Sequence, residues 1–479
     1  MPSDLSGLAR AIRGELVLPS SAAYGTAVQS YNPVFDGAHP LAVAYVESAS
    51  DVAAVVGYGR DRNVPLSIRS GGHCYGGWST GPGVVIDVTR LDAVTVSGGT
   101  VTAGSGTRLV DFYAAMAPHG LAVPGGSCPT VGLAGLALGG GLGVLDRKLG
   151  LTSDNMVHAE VVLASGEVVT CSESSHSDLF WALRGAGGGS FGVVTRMAFR
   201  PSPIGDLGLL TLVWPWSAAP RAVAAWQRWA PTAPDELWSN CLLLASQSTP
   251  TGTAPVARIT GVYAGGQSQL QPLVDDLISA VGSQPFDDFV GSAAYLQTML
   301  IEAGCDGDTL PECHLPSVNP HGILTRAPFA AKSDFVSVPF SSAAISRLLA
   351  AVEAREASPV LSGGGIALDA AGGAVNRVAA GATAFVHRDA LFSMQYSANW
   401  PNGAAASLVQ ANMTWLSDAW QSMRPYVNGQ AYQNYADPQL TDWAEAYYGS
   451  NLPRLEQVKA AYDPHDLWRF PQSIPLPSS

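Results

Sequence analysis

The amino-acid sequence predicts a two-domain α+β protein. At 479 residues the chain is longer than a single hydrophobic core usually grows, which favours at least two structural units. Up to residue 200, short strands and helices alternate, with glycine clusters between them. From about residue 201, alternating strands and longer helices follow. We therefore expect residues 1–200 and 425–479 to form one domain, and residues 201–424 to form a second domain built on an antiparallel sheet backed by helices.

After a short N-terminal helix, the first predicted domain has a strand, a helix and a second strand. Residues 41–47 are apolar and β-branched, and Ser48 starts a segment with the N-terminal signature of a helix that ends near Arg62. Later in this domain, tight turns rich in glycine predict two hairpins. The other predicted elements are strands at 64–69, 84–88, 94–96, 100–103, 157–163, 167–171 and 192–200, and helices at 107–118 and 178–184.

The second predicted domain has a different pattern. Alternation of apolar and polar residues indicates strands, and apolar stripes of helical period indicate helices. The strands are expected at 207–213, 242–245 and 257–262, and the helices at 220–229, 269–281, 341–356 and 404–423. Two C-terminal segments, 431–435 and 451–462, are expected to return to the first domain.

Composition and charge argue against several classes of partner. The net charge is -13 and the 25 lysines and arginines form no cluster, so neither nucleic acid nor an anionic membrane surface is expected as a partner. The uncharged stretch 120–145 contains nine glycines and two prolines, which is untypical of a membrane helix. The N-terminus lacks the apolar core of a signal peptide, so a cytoplasmic location is expected.

Six cysteines are too few for a scaffold built on disulfides. Cys305 and Cys313 are close enough in sequence to form one local disulfide, or they remain two loop thiols. His314 follows directly, but a metal site would need more ligands at tighter spacing, so no metal is expected.

The first motif that could carry chemistry spans residues 69–77. A strand that ends in a glycine pair lets backbone N–H groups turn inward around a pyrophosphate. A histidine at the exit of such a turn would lie beside the ligand, although histidines next to glycines are mostly incidental. The candidate contacts in this motif are Arg69, Ser70, Gly71, Gly72, His73, Cys74 and Gly77.

The second motif spans residues 124–143. Gly132, Gly135, Gly139 and Gly143 recur at helical spacing, which would clear one face of a helix for a backbone or a flat ligand. The alternative interpretation is a tight helix-packing seam with Cys128 as a small buried apolar residue. The candidate contacts are Gly125, Gly126, Cys128, Thr130, Val131, Gly132, Gly135, Leu138, Gly139, Gly141 and Gly143.

The third motif spans residues 178–192. Gly187, Gly189 and Gly192 match the dinucleotide-binding pattern G-x-G-x-x-G. A helix precedes this match and a strand follows it, which is the reverse of the Rossmann order. We therefore expect no Rossmann domain, and no P-loop pattern occurs in the sequence.

Taken together, these motifs resemble the berberine-bridge-enzyme branch of the vanillyl-alcohol-oxidase (PCMH-type) flavoproteins. Residues 149–155 and the C-terminal segments 432–437, 447–451 and 459–468 are similar to further motifs of that family. The resemblance covers essentially the whole chain and is weakest between about 205 and 360. It implies a PCMH-type FAD-binding domain and a separate α+β substrate domain.

The resemblance also implies that two covalent bonds hold FAD. His73 matches the histidine that bonds the flavin 8α-methyl group, and Cys128 matches the cysteine that bonds C6. Neutral imidazole and thiolate are suitable nucleophiles near neutral pH. Val131 matches the position beside flavin C4a where valine accompanies oxidase behaviour, and Cys74 is interpreted as an incidental thiol. Further cofactor contacts implied by the family motifs are Asn155, Gly192, Val193, Val194 and Asn434.

The resemblance implies a tyrosine as the catalytic base, in a C-terminal strand that contains Tyr432 and Tyr435. Tyr435 is the preferred candidate and Tyr432 the second one. Because a free tyrosine has a pKa near ~10, a carboxylate that takes the proton onward would help. Asp369 resembles the family's relay aspartate. Ala371 stands where some relatives have a second tyrosine, which favours the version that Asp369 assists.

The implied reaction is a two-electron oxidation of an alcohol, a hemiacetal or an activated C–H group, with O2 as acceptor and hydrogen peroxide as product. The expected small-molecule substrate is a sugar, an oligosaccharide or a natural-product scaffold. One alternative is a covalent flavin dehydrogenase or oxidative cyclase that uses another acceptor. A second alternative is a flavin-storing or sugar-binding protein without turnover.

Overall fold

The computed structural model describes residues 5–358 and 361–477 of the chain. Within those ranges the strands form sheets of four, five, two and seven strands. The three smaller sheets are built from residues 15–203, and the seven-stranded sheet is built from residues 207–399. The expected α+β class, with an antiparallel sheet in the second part of the chain, is confirmed.

The four-stranded sheet presents the first motif at the end of a strand. Its strands are β1 (Glu15–Val17), β2 (Ala42–Tyr45), β3 (Leu66–Arg69) and β4 (Val84–Asp87), in the order β1-β2-β4-β3. β2, β4 and β3 are parallel, and parallel neighbours need a crossover connection. The helices near this sheet are α1 (Leu5–Ala11), α2 (Tyr24–Ala27) and the crossover helix α3 (Ala49–Arg62). The Ser48 side chain caps α3 by accepting a hydrogen bond from the Asp51 N–H.

The five-stranded sheet is antiparallel throughout and has the order β5-β6-β10-β8-β9. Its strands are β5 (Val94–Ser97), β6 (Thr100–Gly104), β8 (Met156–Val162), β9 (Val168–Ser172) and β10 (Val193–Phe199), and β7 (Leu121–Ala122) pairs with β11 (Ser202–Pro203). The helices of this region are α4 (Leu109–Met116), α5 (Leu133–Leu138), α6 (Asp146–Leu149) and α7 (Ser177–Leu183).

The seven-stranded sheet is also antiparallel, in the order β15-β12-β14-β13-β17-β18-β16. Its strands are β12 (Leu207–Pro215), β13 (Leu237–Thr249), β14 (Gly252–Tyr263), β15 (Asp287–Ala293), β16 (Phe329–Val336), β17 (Ser362–Ala370) and β18 (Phe392–Asn399). The helices of this part are α8 (Ala219–Thr232), α9 (Gln267–Val281), α10 (Tyr295–Glu302), α11 (Ser342–Glu356), α12 (Ala374–Arg377) and α13 (Ala406–Met423).

One face of the seven-stranded sheet is apolar and packs on a layer of helices. Leu212 and Leu368 of the sheet share a buried core with Val274 of α9, Leu348 of α11 and Leu416 of α13. Antiparallel sheets often cover only one face with apolar contacts. The opposite face is therefore available to carry polar residues.

The C-terminal segment packs against the first part of the chain through helices α14 (Trp443–Tyr448) and α15 (Leu452–Tyr462). Lys459 of α15 is fully buried, and its ammonium group donates hydrogen bonds to Asp463 and to the carbonyl oxygens of Ser190 and Trp468. A buried charge is tolerated when it is paired and hydrogen-bonded in this way. This network links the C-terminus to residues that precede the seven-stranded sheet.

Two expectations about local structure were wrong. The segment with the candidate tyrosines was expected to be a strand, but Gln433–Tyr435 is a 3-10 turn in which the Tyr435 N–H bonds the Tyr432 carbonyl. The sequence analysis also missed strands β15, β16, β17 and β18. β17 begins with a run of glycines, which weakens its strand pattern. β18 does alternate apolar and polar residues, and the sequence analysis overlooked this signal. Among the described helices, none combines the length and the apolar composition needed to cross a membrane.

Candidate active site

A cavity of about 1100 Å³ lies between the three glycine motifs and the polar face of the seven-stranded sheet. Typical small-molecule sites measure about 300–1,000 Å³, so this cavity has room for a dinucleotide together with a substrate. The candidate residues that line it are Ser70, Gly71, Gly72, His73, Cys74, Gly126, Cys128, Val131, Gly132, Gly135, Leu138, Gly143, Gly192, Val194, Asp369, Tyr432, Asn434 and Tyr435.

The glycines of the three motifs form one side of the cavity, which we call the glycine wall. This wall fits a flat ligand. A Cβ on Gly71 would lie 2.1 Å from the backbone nitrogen of Gly132, so only glycine allows the first and second motifs to approach so closely. A Cβ on Gly135 would meet no atom within 4 Å, so the face of α5 at that residue borders open space. Close backbone approach beside an open helix face fits the flat ligand that the motifs imply.

Eight candidate cofactor contacts are not among the residues that line the cavity, and they stay predictions. They are Arg69, Gly77, Gly125, Thr130, Gly139, Gly141, Asn155 and Val193. Each has a partner inside the protein. The buried Arg69 guanidinium donates to Asp87 at 2.6 Å, and the Asn155 amide donates to two carbonyl oxygens at 2.9 Å. Val193 lies in the core beneath the four-stranded sheet, so its side chain supports the wall from behind.

The glycines among these eight give space to protein side chains instead. A Cβ on Gly139 would lie 2.0 Å from the Asn434 side chain, and one on Gly141 would lie 2.3 Å from the Thr152 hydroxyl. Gly77 is close to Phe35 in the same way, and Gly125 to the Tyr113 hydroxyl. Both interpretations of the helical glycine spacing therefore apply, each to different residues. Gly135 borders the cavity, as a ligand-binding face would, and Gly139 belongs to a packing seam.

His73 is held as a neutral imidazole at the cavity wall. Its Nε2 lies 2.9 Å from the Thr130 hydroxyl, and its ring stacks on Tyr31 with 3.7 Å between the ring centroids. Burial and the nearby Arg108 guanidinium lower the pKa of His73 to about 3. A neutral imidazole keeps one nitrogen lone pair free, which a nucleophile requires.

Cys128 is exposed to the cavity and forms no disulfide. Protein surrounds the cavity on most sides, and this desolvation raises the pKa of the Cys128 thiol. The expectation of a thiolate at neutral pH is therefore not supported by the protein groups alone. The thiol needs a proton acceptor, or a polarised partner, before it can act as a nucleophile.

Tyr432 is buried, and its hydroxyl oxygen is occupied by protein donors. It accepts hydrogen bonds from the Gly141 and Leu142 N–H groups at 3.1 and 3.2 Å and from the Asn434 amide at 2.8 Å. These bonds fasten the C-terminal turn to the end of the second motif. With its oxygen occupied in this way, Tyr432 is poorly placed to accept a proton from a substrate.

Tyr435 lies between two other tyrosines at the meeting point of the glycine wall and the sheet. Its ring stacks on Tyr75 at 5.3 Å and meets Tyr432 edge-on at 4.9 Å between ring centroids. Burial raises the pKa of Tyr435 well above its ordinary value, and the nearby Tyr75 and Asp369 raise it further. The phenol is therefore neutral at physiological pH.

Asp369 projects from β17 into the cavity. Burial raises the pKa of its carboxyl group to about 6, although a hydrogen bond from the Asn240 side chain lowers it. Asp146, also at the cavity wall, has a pKa raised to about 7 by burial, and the charge of Asp369 contributes to that rise. Burial also raises the pKa of Glu302, which lines the same cavity, to about 7. Several carboxyl groups with pKa values near neutrality in one cavity are typical of acid–base sites.

Several residues of the site were missed by the sequence analysis. Tyr75 stacks on Tyr435, and its hydroxyl accepts a hydrogen bond from the Gln395 amide at 3.2 Å. Tyr75 could have been predicted as a site residue from its position two residues after His73, within the first motif. Asp146 had no motif, and Gln395 lies on an unpredicted strand. Residues Gly187, Gly188 and Gly189 line the cavity, so the third motif contributes to it despite the reversed strand order.

A disulfide joins Cys305 and Cys313, which settles the choice between the two sequence interpretations. The loop that it closes follows α10, whose last residue Glu302 lines the cavity. The neighbouring His314 bonds Asp111 of α4 at 3.1 Å, and this contact raises the pKa of the imidazole. The loop is thereby attached to the helix that precedes Cys128.

Comparison with known proteins agrees with this architecture. The model of the FAD binding domain family matches residues 40–172, and the model described as berberine and berberine like matches residues 431–475. An uncharacterized FAD-linked oxidoreductase of Bacillus subtilis, YgaK, is 31% identical over 91% of each chain. The chitooligosaccharide oxidase of Gibberella zeae is 31% identical over 91% of this chain and 87% of its own.

Solved structures show the same similarity along the whole chain. The Physcomitrella patens BBE-like 1 protein superposes with a TM-score of 0.89, 29% identity and 99% coverage of both chains. The grass pollen allergen Phl p 4, described as having glucose dehydrogenase activity, has a TM-score of 0.87 at 28% identity, and covers 99% of this chain and 100% of its own. The resemblance inferred from the motifs is confirmed, and the chain belongs to the berberine bridge enzyme-like family of FAD-linked oxidoreductases.

Proposed function

We propose that the protein oxidises an alcohol or hemiacetal group of a sugar or oligosaccharide, with O2 as acceptor and hydrogen peroxide as product. The observation that carries the proposal is the position of Tyr435. It lies where the glycine wall meets a polar sheet face, with Asp369 near enough for its charge to raise the tyrosine pKa. Polyhydroxylated substrates suit such a face, and relatives named for oligosaccharide or glucose oxidation support this choice.

We further propose that His73 and Cys128 hold FAD covalently, since both side chains border the cavity and His73 is neutral. When bound, FAD supplies the two-electron acceptor for the substrate carbon. The residues of the chain accept and transfer the proton that the substrate releases. Tyr75 and Tyr432 contact the Tyr435 ring and fix its orientation, and Tyr435 takes the hydroxyl proton of the substrate.

Proton transfer through Tyr435 needs a second base. Because its pKa is raised well above 10, Tyr435 is neutral and can accept a proton only as it releases its own. Asp369, with a pKa of about 6, is ionised at neutral pH and can receive that proton. The Asn240 side chain lowers the pKa of the Asp369 carboxyl group and so favours its ionised form.

The identity of the electron acceptor separates the proposed oxidase from the alternative function. Val131 lines the cavity, and we propose that this small side chain leaves O2 a path to the cofactor. The allergen Phl p 4 is described as a glucose dehydrogenase, and an isoleucine-to-valine variant of it is described as a glucose oxidase. Those descriptions indicate that one aliphatic side chain can accompany a change of acceptor in this fold. A dehydrogenase or oxidative cyclase is therefore the alternative function.

The test is to mix the yellow protein with a panel of mono- and oligosaccharides and of alcohols, first without oxygen and then in air. Loss of the flavin absorbance on mixing identifies a substrate, and peroxide release in air identifies the oxidase. Bleaching without peroxide would favour the dehydrogenase. Absence of bleaching with every sugar, together with measurable sugar binding, would favour a binding protein without turnover.

A further inference from the structure

The register of the seven-stranded sheet aligns a row of neutral polar side chains beside Asp369. Asn240 of β13 pairs with Asp369, Thr260 of β14 pairs with Asn240, and Thr211 of β12 pairs with Thr260. Directly paired residues point to the same side of a sheet, and all four side chains line the cavity. The Thr260 hydroxyl donates to the Asn240 side chain at 2.7 Å, so a hydrogen bond also links the two middle residues of the row.

The row ends on an aromatic side chain. Phe289 of the edge strand β15 pairs with Thr211, so it points to the same side of the sheet as the cavity residues. Its neighbour Val290 points to the opposite side and packs against the helix-covered core. Phe289 is 54% exposed, which makes it one of the most exposed large apolar residues of the described chain.

The Phe289 ring has a defined place on the strand. A Cβ on Gly291 would lie 2.6 Å from the tip of the ring, so the ring lies along its own strand over a residue that has no side chain. The tip of the ring therefore lies over Gly291, and much of the side chain is exposed to solvent. Aromatic rings held in this way are suitable platforms for the apolar faces of sugar rings.

The distance along the row sets the length of the ligand. Four strand spacings of ~4.8 Å separate Asp369 from Phe289, which gives roughly 19 Å. A single hexose ring is much shorter than this distance. A ring that stacks on Phe289 while another is oxidised beside Tyr435 must therefore belong to a substrate of several units.

We propose that Phe289 is the stacking platform of a distal subsite for a linear, uncharged oligosaccharide of at least three units. The terminal unit lies beside Tyr435, the middle units follow the row of Asn240, Thr260 and Thr211, and a distal unit stacks on Phe289. This inference rests on the proposed sugar oxidation and adds to it the length and charge of the substrate. It also assigns a role to an exposed aromatic residue outside the reacting centre.

The test measures kcat and KM for a monosaccharide and for neutral oligosaccharides up to six units, in wild type and in Phe289→Ala. Loss of an aromatic contact at a binding hot spot raises KM by about fivefold or more. We expect that increase for substrates of three or more units, with kcat unchanged, and no change for the monosaccharide. Phe289→Trp should keep the wild-type preference for long substrates.

The matched control is Val168→Ala, which also removes an exposed apolar side chain from an edge strand, here of the five-stranded sheet away from the cavity. It should leave both constants unchanged. Calorimetric titration of the oligosaccharides should show the same Phe289 dependence of binding without turnover. If wild type oxidises or binds no sugar at all, the proposed function fails, and the subsite proposal fails with it.

Three other results would overturn the subsite alone. The first is sugar oxidation with a KM that is independent of chain length, in wild type and in Phe289→Ala alike. The second is a change of oligomeric state in Phe289→Ala, which would make Phe289 a contact between copies of the chain. The third is a preference for acidic oligosaccharides that disappears in Arg258→Met, since Arg258 lines the cavity in the next row of the sheet.

Discussion

Replacement of Tyr435 by phenylalanine tests the proposed path of the proton most directly. The change keeps the ring and its contacts with Tyr75 and Tyr432 but removes the hydroxyl group. General acid–base groups typically contribute about 10²–10⁴-fold to the rate, so flavin reduction by the substrate should slow by that factor. Stopped-flow absorbance without oxygen measures this step alone, and the absorption spectrum before mixing reports whether the cofactor is normally bound.

The pH dependence follows from the pKa of about 6 for Asp369. The carboxylate is the form that accepts the proton, so flavin reduction in wild type should rise with pH through that value. At pH 5 about nine-tenths of the carboxyl groups would be protonated, which predicts a rate about tenfold below the plateau. In Asp369→Asn this inflection should disappear and reduction should rise only at much higher pH, because Tyr435 must then ionise unaided.

The two substitutions should not be additive if Tyr435 and Asp369 act as one unit, so the double variant should be little slower than Tyr435→Phe. Tyr263→Phe is the matched control, because Tyr263 ends β14 outside the cavity lining. It should reduce flavin at the wild-type rate. Wild-type reduction by Tyr435→Phe would refute the assignment and would transfer the role to Tyr432 or to another residue.

Three further outcomes are expected. Acid-precipitated protein should stay yellow and weigh one FAD more than the chain, and His73→Ala or Cys128→Ala should each keep one bond and oxidise substrate more slowly; free flavin in the acid supernatant of wild type would contradict this. Val131→Leu should slow reoxidation by O2 but not flavin reduction, and unchanged rates of both steps would remove the gate assignment. Asp146 has a raised folded-state pKa of about 7, so wild type should lose stability as pH rises from about 4 to 7, by roughly 4 kcal/mol at most. Asp146→Asn should lack that loss in urea unfolding at pH 5 and pH 8, and equal pH profiles would show that Asp146 is not buried as a costly charge.

The sequence was most informative where function depends on local backbone shape. A strand, a glycine pair and a histidine can be recognised within the nine residues 69–77. Two of these residues, Gly71 and His73, border the cavity. Local backbone shape did not reveal where a glycine makes room for a protein side chain. Gly139 and Gly141 fit the ligand pattern, yet they accommodate Asn434 and Thr152, which lie elsewhere in the chain.

The sequence by itself determined the fold class through its patterns, and the resemblance of its motifs to a known family implied that His73 and Cys128 hold FAD. These features are local, because motif spacing and hydrophobic period are properties of neighbouring residues. Only the tertiary structure shows which protein groups surround each of the two candidate tyrosines. The Tyr432 hydroxyl oxygen accepts hydrogen bonds from Gly141 and Leu142, about 290 positions away in sequence, which is why Tyr435 is the proposed base. The row from Asp369 to Phe289 likewise exists only because five strands pair in one register, which no local pattern encodes.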